Sequence, residues 1–261
     1  MATRIADLGW RVRLDRFWKR FVETGRAEDH ADPDARADLP AAAVSVSFEL
    51  PVGASRRVPF ALAWCFPHRV AWGGGVPRGR TFRGAFDPAL DVGNHYAARF
   101  PTAESAAETL FGRLPALESG TVGFVRGVLA LPAPDVVKEA ALFNLSTLRT
   151  ETCFRTSDGR FFGWEGVFDG EGSCYGNCTH VWGYEHALVD LWPDLAQGMV
   201  ETWLAYALDD DGRIAFRTPL PLDPANARDV IAAADGQLQV ILRAYECWRK
   251  TGDGAGEVRV R

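Results

Sequence analysis

Residues 157–195 read SDGRFFGWEGVFDGEGSCYGNCTHVWGYEHALVDLWPDL. The stretch opens on aromatic residues at strand-like density and crosses a loop rich in Gly and polar residues. It ends in an apolar segment with helical spacing, where Pro193 suits a first helical turn. The chain therefore passes from β to α within this one segment. It also carries a lone carboxylate, Glu165, beside Phe161, Phe162 and Trp164. Aromatic faces can lie against a sugar, and partial desolvation can tune a carboxylate, so carbohydrate chemistry is the first reading. Glycoside cleavage normally needs two carboxyl groups, and this segment offers one.

Upstream, residues 43–50 place Val44, Val46, Phe48 and Leu50 in alternation with Ser45, Ser47 and Glu49, the period of a half-buried strand. A turn at residues 51–55 predicts a second strand over 58–66, with Phe60, Leu62, Trp64 and Phe66 on one face. Before them, a basic, Trp-containing start runs into the Ala- and charge-rich stretch RAEDHADPDARADLP, read as a solvated linker. From Thr102, a capping residue, Ala106, Ala107, Leu110, Phe111 and Leu114 predict a helix. Further helices are expected over 135–145, 184–191, 194–208 and 232–250, the last with Leu238, Ile241, Leu242, Tyr245 and Trp248 at helical spacing. Residues 146–170 suit a strand or hairpin, and residues 209–212 a turn into a short strand at 214–216. Strands followed by paired helices indicate the α+β class.

The 261 residues are 47% hydrophobic and 24% charged, with a net charge of -5, ordinary for a soluble globular protein. The acidic pI near 5.6 disfavours a nucleic-acid partner or a polybasic membrane contact. No apolar signal core or membrane-length run is present, so no integral membrane segment and a cytoplasmic location are expected. Five cysteines in no scaffold spacing suggest reduced thiols. Cys174, Cys178 and His180 could be read as part of a metal site, but no second cluster completes four ligands, so neither metal nor cofactor is expected. Gly73, Gly74 and Gly75 lack the Lys-Ser/Thr that would make a phosphate loop. Two matches to the N-glycosylation pattern, at Asn144 and Asn177, are taken as chance.

Several blocks, in order across residues 41–252, resemble glycoside hydrolase family 116, the bile-acid or non-lysosomal glucosylceramidase type of β-glucosidase. PFALAWCFP at 59–67 is similar to a strand of that family's N-terminal domain, and Leu142-Phe143-Asn144-Leu145 to the start of its LFNELY segment. Gly159-Arg160-Phe161 with Trp164-Glu165-Gly166 resembles its catalytic block, and Leu191-Trp192-Pro193-Asp194-Leu195 the helix ending LWP-x-L. Residues 238–252 are similar to its VLQVYRDYYLTG-type helix. The resemblance implies the end of an antiparallel β-sandwich in residues 1–100. It implies the first helices of an incomplete (α/α)6 toroid, the catalytic domain, in residues 101–261.

It further implies that Glu165 is the nucleophile of a retaining β-glycosidase, although a surface or helix-start glutamate is the alternative. Thr179-His180 stands where the family carries a sugar-binding Asp, with His180 equally readable as a core histidine. Trp164 and Asp235 complete the candidate substrate contacts, Asp235 alternatively serving as a helix cap. The family's His-Asp pair has no counterpart in residues 219–223, and no position matches its general acid/base. The expected function is thus a fragment of a retaining β-glycosidase acting on small-molecule glycosides, catalytically silent as the isolated chain. The alternative is a non-catalytic carbohydrate-binding or scaffold protein. The sugar, the aglycone and the oligomeric state are left open.

Overall fold

The computed structural model describes residues 2–7, 14–26, 42–70, 88–163, 165–167, 172–173, 177–179, 183–223 and 231–252. Among them are six α-helices and three two-stranded antiparallel sheets, a mixed helix-and-sheet architecture that agrees with the expected α+β class. The chain divides into two compact units, Met1–Phe60 and Ala61–Arg261.

In the first unit, β1 (Ala2–Asp7) pairs antiparallel with β2 (Ala42–Ser47), from Ala2 opposite Ser47 to Asp7 opposite Ala42. Between them lies α1 (Leu14–Thr24), where Trp18 and Phe21 meet edge to face at 5.9 Å. Neither β1 nor α1 follows from the sequence reading, which expects β2 to pair with residues 58–66. The intervening turn does form: Ala54 N–H donates to Pro51 O at 3.0 Å, and Gly53 takes φ +76°. Yet residues 58–66 join no ladder, and Phe60, Leu62, Trp64 and Phe66 are all exposed. β2 is paired with β1 instead.

In the second unit, the backbone just beyond those residues is satisfied by side chains instead of a strand. Phe66 N–H donates to Tyr96 Oη at 2.8 Å, and Asn94 Nδ2 donates back to Phe66 O at 2.8 Å. Asp91 Oδ1 accepts from the N–H groups of Arg69 and Gly93, at 3.0 and 2.9 Å. Arg69 then donates to Asn94 Oδ1 and Glu151, each at 2.9 Å, and lies 4.5 Å from the Phe154 ring centre. This knot seats the 66–70 segment on the hairpin that follows.

The helix α2 (Ala103–Leu129) starts at Thr102 through a reciprocal capping box with Ser105, as the capping residue predicts. It continues well past the predicted face, through Pro115, and none of its residues is buried. The helix α3 (Asp135–Leu145) has the predicted bounds and likewise buries nothing. The predicted hairpin is present as β3 (Cys153–Arg155) and β4 (Phe161–Gly163), followed by the short pair β5 (Gly166–Val167) and β6 (Gly172–Ser173).

The core lies where α4 (Ala187–Leu191), α5 (Pro193–Tyr206) and α6 (Ala234–Thr251) pack on that hairpin. The inner stripe of α5 is Ala196, Met199, Val200 and Trp203, at the spacing one helical face requires. Leu188 and Val189 of α4, Val240 of α6 and Phe161 of β4 close around it. Gln237 ties α6 to the preceding turn, accepting from Ile214 N–H at 2.8 Å and donating to Gly212 O at 2.9 Å. That turn is held by Asp209, whose Oδ1 accepts from Asp211 and Arg213 N–H groups at 3.0 and 2.8 Å. Leu208 and Ile214 form an isolated bridge where a short strand was expected.

The α6 packing reverses one expectation. Leu238, Ile241, Leu242, Tyr245 and Trp248, the face with helical apolar spacing, are all more than half exposed. The buried stripe is Gly236, Val240, Arg243 and Cys247.

Candidate functional site

The β4 strand is buried at all three positions, and its rings do not surround Glu165. Because side chains alternate along a strand, Phe161 enters the main core with Leu188 and Met199. Phe162 enters a separate cluster with Phe154 and Leu220, stacked on Phe154 at 5.6 Å. Both rings are buried in core clusters and not set around Glu165, which corrects the expectation read from their position. Glu165 follows in an exposed bend directly before β5. The aromatic pair fixes the strand, and the strand fixes where the carboxylate leaves the core.

Asn177, fully buried, pins this strand to the next segment. Its Oδ1 accepts the Gly163 N–H at 3.0 Å, and its Nδ2 lies 3.5 Å from Phe161 O. Thr179 is buried too; its N–H and hydroxyl both donate to Phe216 O, at 2.8 and 3.2 Å. It packs so closely on α6 that a Cβ placed on Gly236 would fall 2.2 Å from its Oγ1. Asp235, next to Gly236, is exposed in the first turn of α6, where its charge suits the helix dipole; the N-cap itself is Ala233. The structure thus joins the Glu165 strand, Thr179 and the start of α6 through Asn177 and Gly236. Trp164 and His180 lie outside the described residues, as do Cys174 and residues 73–75.

One group of residues escaped the sequence reading. Glu185 and Arg243, each 1% exposed, form an ion pair through Glu185 Oε1 and Arg243 Nη2. Arg243 Nη1 also donates to Glu246 at 3.0 Å, and its Nη2 lies 3.1 Å from His186 Nδ1. A guanidinium only donates, so His186 Nδ1 must accept and its proton sits on Nε2. Burial first, then the Arg243 charge, lowers the His186 pKa. Glu185 is pushed up to about 7, because burial outweighs the attraction of Arg243. Among the described residues, Glu185 Oε2 and Arg243 Nε have no hydrogen-bond partner. Sealed from solvent, this carboxyl cannot reach a substrate, and its task is to hold α6 to the segment before α4. An arginine in register with Val240 and Cys247 is the sequence signal that could have revealed it.

No disulfide joins the described cysteines. Burial pushes the Cys153 thiol up to about 12, which leaves it a packing group and not a nucleophile. No cluster of three or more His, Cys, Asp or Glu side chains suited to a metal occurs among the described residues. Nor, among them, is any helix long and apolar enough to cross a membrane.

Glu165 thus stands as an exposed carboxylate in the bend between β4 and β5. Residues 7–116 match the family model described as beta-glucosidase 2, glycosyl-hydrolase family 116 N-term. The resemblance to glycoside hydrolase family 116 read from the sequence is borne out over that stretch. No curated protein matches the chain.

Proposed function

We propose that the chain carries the nucleophile of a retaining β-glycosidase, with Glu165 attacking the anomeric carbon of a β-linked glycoside. Attack by a carboxylate oxygen would form a glycosyl-enzyme ester and expel the aglycone oxygen, which needs a proton from a second carboxyl group. No residue of the chain is assigned that proton. In this reading residues 1–100 belong to a β-sandwich and residues 101–261 to an (α/α)6 helical domain. Asp235 and Thr179 stand near the sugar with His180 and Trp164, Thr179 as a support because its hydroxyl is already used in the core. The observation that carries the proposal is the placement of Glu165: exposed, directly beyond a buried strand that Asn177 clamps. The match of residues 7–116 to the N-terminal domain of family 116 supports a glycosidase-type protein, and Glu165 lies beyond that stretch.

A 2-deoxy-2-fluoro-β-glucoside with an activated leaving group tests it, since such a leaving group departs without acid assistance. Covalent mass gain on the Glu165 peptide, absent in Glu165→Gln, is the expected result. Saturable sugar binding with no labelling would favour the second reading, a non-catalytic carbohydrate-binding protein. On simple alkyl β-glucosides the 261-residue chain is expected to be silent; turnover abolished by Glu165→Gln would place an acid within it.

A further inference from the structure

The β3–β4 hairpin and α5 enclose an open cleft of about 490 Å³ that Glu165, Thr179 and Asp235 do not line. Small-molecule sites occupy ~300–1,000 Å³, so its size suits a ligand of one or two rings. The hairpin contributes Arg155, Asp158 and Arg160, α5 contributes Asp194 and Glu201, and His95 completes the wall. Gly198 opens the α5 side, with nothing within 4 Å of the place its Cβ would take.

The hairpin wall carries both signs of charge, and the α5 wall is acidic. Arg160 pairs with Asp158, which also accepts from the Thr156 hydroxyl. Arg155 spends its Nε on Gly159 O at 3.0 Å, and no carboxylate pairs with it among the described residues. Opposite, Glu201 accepts only from Gln197 at 3.1 Å among the described residues, while Asp194 stands exposed in the first turn of α5. Guanidinium groups only donate and carboxylates only accept, whereas each hydroxyl of a polyol does both. An anion would meet Asp194 and Glu201, and a cation would meet Arg155. A neutral polyhydroxylated ligand satisfies both walls at once, and charge-assisted hydrogen bonds are the strong ones.

We propose that this cleft is a saccharide subsite, with Arg155 donating to and Glu201 accepting from hydroxyls of a neutral sugar. The choice of a sugar among polyols rests on the carbohydrate reading above; the choice of a neutral ligand rests on the walls alone.

Calorimetric titration of the 261-residue chain with cellobiose tests the proposal, with glucose 6-phosphate and glucosamine as charged comparisons. The expected result is saturable cellobiose binding, weakened about tenfold or more by Arg155→Gln or by Glu201→Gln and unchanged by Glu118→Gln, at an exposed position of α2 outside the cleft. Circular dichroism of each variant confirms that it folds, and Asp194→Asn on the exposed first turn serves if either does not. The proposal is overturned by absent binding, by full binding in both cleft variants, or by tighter binding of either charged sugar. Loss of binding in Glu118→Gln overturns it as well, because binding would then not depend on the cleft. Fluoro-glycoside labelling reports on Glu165 alone, so either result can fail without the other.

Discussion

Arg243 sits in the middle of α6 on its buried side, and its guanidinium faces Glu185 with almost no access to water. Arg243→Leu removes one partner of a buried pair and should cost about 3–5 kcal/mol, read as a fall in the urea midpoint at constant slope. Glu185 gives the pair a pH signature. Its folded pKa of about 7 lies above the ordinary glutamate value of 4.5, so the folded state binds the extra proton. The stabilisation is complete below the unfolded value and is lost as pH rises through about 7. His186, lowered in the fold, acts in the opposite sense: its contribution is lost as pH falls. The difference in unfolding free energy between the wild type and Glu185→Gln therefore isolates the carboxyl, and it should decline from pH 4.5 to about 7. A flat difference would remove Glu185 as its source.

Gly236 offers a second test at this scale. Gly→Ala inside a helix normally gains ~1 kcal/mol, but here the new Cβ would press on Thr179. Gly236→Ala should destabilise by about 1–3 kcal/mol, and adding Thr179→Ala should recover part of the loss in chemical denaturation. Neither effect is legible in the sequence, where Thr179 reads as a sugar contact. Glu165 was legible as a residue, but its aromatic surroundings were misread: adjacent rings in a strand point to opposite faces, and both found a core.

At the scale of elements, local rules succeeded where the determinants are local. The capping box at Thr102 and the turn around Asp209 follow from side chains bonding the nearby backbone, and the start of α5 from Pro193, whose fixed φ suits a first helical turn. Pairing partners did not follow, because a period-two pattern names a face and not a neighbour. Thus β2 joined β1, and residues 58–66 joined no strand. The helices also differ in how they are held: α5 and α6 bury a full stripe, while α2 and α3 bury no residue. Amide hydrogen exchange should therefore be fast across α2 and α3 and slowest in the central turns of α5 and α6. Equal protection of all four helices would contradict this ordering.

Across the whole chain, large apolar side chains remain in contact with solvent on separate elements. Leu62 and Trp64, Phe111 and Phe124 of α2, Phe143 of α3, and Ile241 and Trp248 of α6 are each more than 45% exposed. Exposed apolar surface of this kind binds hydrophobic dyes and promotes association. The purified chain should enhance anilinonaphthalene sulfonate fluorescence while retaining its near-ultraviolet circular dichroism, and Ile241→Lys with Trp248→Lys should reduce the signal. Unchanged fluorescence in that double variant would show that α6 does not carry the surface.

The sequence by itself determined the α+β class, most helix starts and stops, the hairpin near Glu165 and the resemblance to family 116. Each depends on residues close together in the chain or on the order of short motifs. Only the tertiary structure decided which face of α6 is buried and which strand β2 pairs with. It alone decided that Phe161 and Phe162 are core and that a charged pair lies among apolar groups. Those outcomes depend on which distant segment supplies a partner, Glu185 for Arg243 or Thr179 for Gly236, and periodicity along one segment carries no record of that partner.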